Sequence, residues 1–152
     1  MKLLNYAIVA IVALFASCAP EPEVPKDYPT LTSLDNTKWY SYDNSDVVFY
    51  DIYFEEGTGH MDGFDSSDRK NKISELGFDY TFTPAHDGND AIVDVWFEDE
   101  TRYGGILVPK GIFQVSNIDV YLIQLYQLDA EGKEILKDEN GNYLSTLQMW
   151  ME

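Results

Sequence analysis

The sequence has only one cysteine in 152 residues, Cys18. A single cysteine excludes an intrachain disulfide. Small exported domains often depend on disulfides, so a domain without them must be stabilised by the packing of its core. The residues that follow position 17 are numerous enough for one ordinary hydrophobic core, and we expect a single domain.

Basic residues are also scarce. Ten lysines and arginines stand against 27 aspartates and glutamates, which gives a formal charge of −17. Such a surface repels nucleic-acid phosphates and anionic headgroups, so we expect no nucleic-acid partner. The acidity has two interpretations: a binding face for metals or cationic ligands, or a soluble surface without a specific partner.

Recognised catalytic motifs are missing. His60 and His86 are the only histidines, and neither lies in a catalytic motif. The sequence has no G-x-S-x-G nucleophile elbow, no H-E-x-x-H zinc motif, no P-loop and no G-x-G-x-x-G dinucleotide motif. We therefore predict a non-enzymatic protein without a cofactor. The less favoured alternative, a glycan-acting enzyme, needs two carboxylates about 5 to 9.5 Å apart in a cleft.

The only long apolar run lies at the start of the chain, where Met1 and Lys2 precede LLNYAIVAIVALFAS. A charged start, an apolar stretch and a small-residue end are typical of a secretory signal peptide, which we place at residues 1–17. The run is interrupted by Asn5 and is shorter than the ~20 apolar residues of a spanning helix. It is therefore not predicted to be a permanent membrane anchor.

The residues Phe15, Ala16, Ser17 and Cys18 resemble the lipobox of bacterial lipoproteins, in which an apolar residue and two small ones precede a cysteine. The resemblance implies cleavage before Cys18 and a covalent lipid on its sulfur. Each buried methylene contributes ~0.8 kcal/mol, so two or three acyl chains would hold the protein on a membrane. The alternative is a plain secretory signal with an incidental cysteine.

Residues 18–33 are predicted to form a tether between this lipid and the domain. Prolines interrupt helices and sheet ladders and favour extended polyproline II. Ala19 indicates, by analogy with other lipoproteins, sorting to the outer membrane, with the domain on the periplasmic face or at the cell surface. The four prolines are Pro20, Pro22, Pro25 and Pro29.

Residues 34–152 show strand signals and no long stretch with helical spacing. In ELGFDYTFT, four apolar residues alternate with polar or small ones, the period that puts one face of a strand inside and the other in water. Seven other short runs are enriched in β-branched and aromatic residues. They are TKWYSY, VVFYDIYF, GTGHMDGF, AIVDVWF, RYGGILV, IDVYLIQLYQL and YLSTLQMW.

Short turns separate these eight runs. Gly57 in FEEGTG and Asn140-Gly141 in DENGNY suit tight hairpins, and PAHDGND and DAEGKE each have an acidic residue before glycine. Strands joined by short turns without helices form an antiparallel meander, and eight such strands close most simply into a barrel. The predicted fold class is therefore an all-β barrel, with a β-sandwich as the alternative.

Trp39 lies in the first predicted strand, in LDNTKWYSY, and the second predicted strand ends at Phe54 and is followed by Gly57-Thr58-Gly59. These two segments resemble the lipocalin-like small lipoproteins of Bacteroidetes-type bacteria. The resemblance implies a calyx-shaped, lipocalin-like (calycin-like) barrel, in a family whose members often have no assigned function.

Aromatic residues make up 14% of the sequence. Their rings can stack on sugars or line a small-molecule pocket, or they can fill a barrel too narrow for any ligand. The alternation in AIVDVWF places Trp96 on the outer face, where an exposed ring would indicate a binding surface. The candidate ligand-binding residues are Trp39, Tyr50, Tyr80, Trp96 and Tyr121.

Two acidic turns contain oxygen donors of the kind that calcium prefers. Asp62, Asp65 and Asp68 lie in MDGFDSSD, while Asp138, Asn140 and Asn142 lie in DENGN. Neither segment has the spacing of an EF-hand. No metal site is predicted, and both segments are interpreted as solvated turns. Asp62, Asp65 and Asp68 are the candidates if a calcium site exists.

These patterns together predict a non-enzymatic envelope lipoprotein whose barrel binds a small molecule, a glycan or an envelope protein. The alternative is an acidic interaction or structural module with a filled barrel. The two differ in one observable property. An interior void of a few hundred Å³ favours ligand binding, and a packed interior favours the interaction module.

Overall fold

The computed structural model describes residues 29–152, which form eight strands and no helix. Each strand pairs in antiparallel fashion with the next, and β8 returns to β1, so the sheet is a closed barrel. The predicted all-β meander and its closure into a barrel are confirmed. The strands are β1 (Thr37–Asp43), β2 (Val48–Phe54), β3 (Thr58–Phe64), β4 (Lys72–Thr83), β5 (Ala91–Phe97), β6 (Arg102–Val115), β7 (Ile118–Gln127) and β8 (Thr146–Met151).

The two ends of the barrel differ in what lies across them. Residues 29–36 and the turns β2–β3, β4–β5 and β6–β7 lie at one end, which we call the closed end. The other four connections lie at the opposite end, the open end.

No helical segment among residues 29–152 has the length and apolar character that spanning a bilayer requires.

β6 is longer than the sequence predicts. The run RYGGILV ends at Val108, but the strand continues through Pro109 to Val115. The pairing with β7 shifts register between Val108 and Phe113, so Pro109 lies in a bulge where its missing N–H breaks no ladder bond. Proline and glycine in this segment therefore indicate a bulge and not the end of a strand.

Aromatic side chains fill the barrel from the closed end upward. Trp39, which is 0% exposed, contacts Phe54 edge-to-face with ring centroids 6.3 Å apart. The same geometry links Phe54 to Phe78 at 5.3 Å, Phe78 to Phe97 at 5.5 Å, and Phe97 to Tyr103 at 5.8 Å. Edge-to-face pairs add about 0.5–1.5 kcal/mol each beyond the area they bury. The lower half of the barrel is thus a packed core.

Tyr80 fastens the segment before β1 to the closed end. Its hydroxyl lies in hydrogen-bond contact with the Asp35 carboxylate and donates to the Glu55 carbonyl at 2.6 Å. Burial raises the pKa of Tyr80, and the negative charge of Asp35 raises it further, so the phenol stays protonated. Leu34, in the same segment, is fully buried and packs in the core of the barrel.

The two glycines of FEEGTG are required for different structural reasons. Gly57 has a φ of 77°, which the β2–β3 turn requires and which side chains disfavour. A Cβ at Gly59 would collide with the Phe78 ring and the Tyr53 carbonyl. The segment that suggests the lipocalin-like family is thus a tight turn followed by a close contact in the core.

Asp51 departs from a simple alternation of buried and exposed faces. It lies on the outer face of β2, yet only 4% of it is exposed. Lys38 donates to its Oδ2 at 2.6 Å and Arg69 to its Oδ1 at 2.5 Å. The two cations cover the carboxylate from outside the barrel.

The predictions for the start of the chain concern residues outside the described part. The signal peptide at 1–17, the lipid on Cys18 and most of the tether at 18–33 lie before Pro29. They remain predictions.

Candidate functional site

A cavity of about 470 Å³ occupies the upper half of the barrel and opens at the open end. Ser41 takes the inward position two residues after Trp39 on β1, so the side-chain volume on this strand falls sharply above the packed core. Cavities of this size hold small organic ligands. The floor is formed by Tyr50, Met61, Leu76, Phe97, Tyr103 and Leu147.

The cavity also reaches a gap in the barrel wall. β1 and β2 pair at seven positions, whereas β1 and β8 pair at one, Tyr40 opposite Trp150. Above this position no further pairing joins the two strands, and Ser41 of β1 and Gln148 of β8 both line the cavity. The cavity is therefore accessible from the open end and from the β1–β8 side.

The rim carries two carboxylates that are held by their own turns. Asp43 Oδ1 accepts the backbone N–H of Ser45 at 2.8 Å, and Asp99 Oδ1 accepts that of Thr101 at 2.9 Å. Hydrogen bonds from the Thr101 hydroxyl and N–H hold the pKa of Asp99 below its ordinary value. Among the residues that line the cavity, these two aspartates are the only charged ones, with no lysine, arginine or histidine.

Tyr50 lies near two acidic side chains at the β1–β2 connection. Burial raises the pKa of its phenol, and the negative charges of Asp43 and Asp46 raise it further. The charges of these two aspartates favour a cation at the same place, whereas burial, the larger cause, disfavours a charge of either sign. On the other side of the cavity, the Tyr103 hydroxyl and Ser145 Oγ lie 3.0 Å apart and join β6 to the β7–β8 connection.

The five aromatic candidates lie in three different places. Tyr50 lines the cavity. Trp39 and Tyr80 are buried at the closed end, and Tyr121 packs against the same core. Trp96 is half-buried on the outer wall, on the face that the alternation in β5 predicts.

No protein-family model, curated protein or solved structure matches this chain. Function is therefore inferred from the shape and charge of the barrel itself.

Five floor residues are absent from the sequence-based candidates. Alternation places Met61, Leu76, Phe97, Tyr103 and Leu147 on the inner face of their strands, so their direction is predictable. Their height along the barrel depends on the pairing registers, and in the closed barrel they line the same cavity as Tyr50.

The acidic residues of MDGFDSSD are each engaged by a different neighbour. Lys72 Nζ lies 2.8 Å from Asp62 Oδ1, Asn71 donates to Asp65, and Lys70 Nζ lies 2.7 Å from Asp68. In the part of the chain that the structure describes, no group of three or more His, Cys, Asp or Glu side chains is arranged to hold a metal ion.

The segment DENGN forms a turn organised by Asp138. Its Oδ1 accepts the backbone N–H groups of Asn140 and Asn142, both at 2.9 Å. Hydrogen bonds from Asn142 lower the pKa of Asp138. Because these bonds use the carboxylate to shape the turn, the geometry is that of an Asx turn.

The two histidines have separate surroundings. His60 on β3 stacks on Tyr53 with ring centroids 4.7 Å apart. His86 follows β4, and its Nε2 lies 2.9 Å from the Asp87 carboxylate. The Nδ1 atom of His60 lies 4.0 Å from the Glu55 carboxylate, so the two imidazoles face different acidic side chains.

Proposed function

We propose that this protein is a non-enzymatic envelope lipoprotein that binds a small organic molecule with a positively charged group in its open-end cavity. The observation that carries the proposal is the combination of an apolar, aromatic floor with a rim whose charged residues, Asp43 and Asp99, are both acidic. An organic cation needs both parts, since its hydrocarbon body requires an apolar surface and its charge requires an anionic partner.

The floor also suits the charged group itself. Ammonium groups are attracted to the faces of tyrosine and phenylalanine rings by about 0.5–2 kcal/mol, and more strongly where water is excluded. Tyr50, Phe97 and Tyr103 supply three such rings within one cavity. The negative charges of Asp43 and Asp46 near Tyr50 act in the same direction.

The partial filling of the barrel supports a ligand carrier over an interaction module with a filled barrel. Only the lower half of the barrel is packed, and the remaining volume lies within the range of ligand sites. The described chain enters the barrel at the closed end, beside Leu34 and Tyr80. With a lipid on Cys18, the tether would connect the membrane to this end and the cavity would open away from the bilayer.

Butyrylcholine and its uncharged carbon isostere, 3,3-dimethylbutyl butyrate, test the cavity. We expect the cation to bind at least about tenfold more tightly, equivalent to ~1.4 kcal/mol, because the two ligands differ only in charge. Isothermal titration calorimetry on the domain gives both affinities. The double substitution Asp43→Asn and Asp99→Asn should remove the preference, whereas Asp119→Asn, on the exposed closed-end part of β7, should leave it unchanged.

Two results would contradict this proposal. Equal affinities for the cation and the isostere would remove the role of the carboxylates. The absence of binding by either ligand, with the fold intact by circular dichroism, would remove the cavity as a site for such molecules.

The anchor is tested separately at Cys18. We expect Cys18→Ser to shift the protein from the membrane fraction to the soluble fraction and to abolish incorporation of an alkyne-tagged fatty acid, since serine has no thiol for thioether formation. Fractionation and labelling of cells that express the full chain measure both effects. An unmodified Cys18 thiol in the mass spectrum of the mature protein would refute the anchor.

A further inference from the structure

Trp96 occupies the outer wall of the barrel between two polar neighbours. On β4 it stands opposite Asp79, and on β6 it stands opposite Arg102. All three side chains point outward, because Val95 and Phe97 on either side of Trp96 point into the core. The indole is half-buried, so part of its surface is available to a ligand.

Two depressions in the outer wall meet at this indole. The larger, about 320 Å³, is lined by Trp96 together with Gly77, Asp79 and Glu98, and we call it the Glu98 depression. The smaller, about 130 Å³, includes Asp94, Arg102 and Glu131, and we call it the Glu131 depression. The Trp96 side chain, on the outer face of β5, lines both depressions.

Glycines keep the acidic groups close to the wall beside the ring. A Cβ at Gly77 would collide with the Glu98 carboxylate, and a Cβ at Gly104 would lie 2.8 Å from Asp94 Oδ1. Each carboxylate therefore rests over a glycine and next to the indole. A larger residue at either position would push the carboxylate outward and change the shape of its depression.

The polar groups around Trp96 include both acceptors and donors. Asp79, Glu98 and Asp94 can accept hydrogen bonds, and the guanidinium of Arg102 can donate several. Burial raises the pKa of Asp94, and neither Asp94 nor Arg102 forms a salt bridge with another residue of the described chain. The Asp94 carboxylate accepts a hydrogen bond from Thr81 and keeps further acceptor positions, so the groups around Trp96 can bind a ligand that both donates and accepts.

We propose that Trp96 and the two depressions form a second binding site that takes a neutral sugar ring of a glycan. The C–H face of a pyranose stacks on an indole, and its hydroxyl groups donate to carboxylates and accept from a guanidinium. The mixed charges distinguish this site from the open-end cavity, whose charged residues are all acidic. The inference is independent of the function proposed for that cavity.

Fluorine NMR of the 5-fluorotryptophan-labelled protein tests the site directly. The domain contains three tryptophans, Trp39, Trp96 and Trp150, and tryptophan-to-phenylalanine variants assign their resonances. Titration with cellohexaose, mannohexaose and hexa-N-acetylchitohexaose, all neutral, is expected to shift the Trp96 resonance for at least one oligosaccharide. The Trp39 resonance should not move, because this ring is fully buried at the closed end.

Variants link the signal to the proposed contacts. Calorimetry with the oligosaccharide that shifts Trp96 should show at least a tenfold loss of affinity for Trp96→Ala and a smaller loss for Arg102→Gln, while Trp150→Phe should bind like the wild type. Asp119→Asn, on the exposed closed-end part of β7, should also bind like the wild type. The proposal is overturned if none of the three oligosaccharides shifts the Trp96 resonance, or if Trp96→Ala binds with unchanged affinity.

Discussion

Substitution of Trp39 by alanine is expected to lower the free energy of unfolding by about 3–5 kcal/mol, the usual cost of removing a large aromatic ring from a core. The ring is fully buried, packs edge-to-face on Phe54, and donates its indole N–H to Thr37 Oγ1 at 2.8 Å. It stands at the closed-end start of the aromatic series that fills the lower barrel. Its removal leaves a cavity that the closed barrel can only partly collapse into.

Chemical denaturation followed by circular dichroism measures this effect. Trp39→Phe keeps a ring and loses the hydrogen bond, so we expect a smaller loss than for alanine. Ile118→Ala, at a side chain that is about half exposed, should change the stability by less than ~0.5 kcal/mol. A loss below ~1 kcal/mol for Trp39→Ala would show that the closed end is not the main core of the domain.

Strand positions were predictable because the pattern that defines them is local. Each of the eight predicted runs overlaps a strand of the barrel, since alternation and turn residues act over a few positions. The continuation of β6 past Val108 was not predicted, because Pro109 and Gly111 resemble a strand end when the partner strand is unknown. Only the register with β7 shows that they lie in a bulge.

Placement of the cavity was less predictable than the fold. Alternation specifies which face of a strand a residue occupies, but not its height along the barrel. Trp39 and Tyr50 both point inward, yet one lies in the packed lower half and the other lines the cavity. Their separation depends on the registers of neighbouring strands, which are long-range properties of the closed sheet.

The burial of Asp51 has the same long-range origin. Its partners lie 13 and 18 positions away in the sequence, Lys38 on β1 and Arg69 in the β3–β4 connection. Pairing of β1 with β2 places Tyr40 directly opposite Asp51, and both cations also approach the Tyr40 ring, at 5.2 and 5.4 Å from its centroid. An outward-facing aspartate in a strand gives no local indication of this arrangement.

Asp51→Asn is expected to lower the free energy of unfolding by about 2–4 kcal/mol at neutral pH. The substitution keeps the size of the side chain but leaves Lys38 and Arg69 without their shared anion, and breaking a buried pair commonly costs about 3–5 kcal/mol. We expect the lower part of that range or less, because the two cations remain about one-third exposed and can be partly hydrated.

The loss of stability in Asp51→Asn should depend on pH, because the charge of the Asp51 carboxylate depends on pH. Burial alone would raise the pKa of Asp51, but hydrogen bonds and charges from Lys38 and Arg69 outweigh it and hold the pKa below its ordinary value. A group whose pKa is lower in the folded state contributes stability above its unfolded pKa of about 3.9, and this contribution is lost as the pH falls through the folded value. The stability difference between wild type and Asp51→Asn should therefore be largest at neutral pH and shrink in acid.

Denaturant titrations at a series of pH values measure this difference, with Asp119→Asn as the control for an exposed aspartate. A difference that stays constant from neutral pH to below pH ~3 would contradict the role of the Asp51 charge.

The hydrogen bond between Arg69 and Asp51 also stabilises a loop at the open end. Arg69 lies in the β3–β4 connection with a φ of 55°, so its bond to Asp51 holds this loop in a backbone conformation that a residue with a side chain disfavours. In Asp51→Asn, amide hydrogen exchange should therefore accelerate first in residues 65–71, before the closed end is affected.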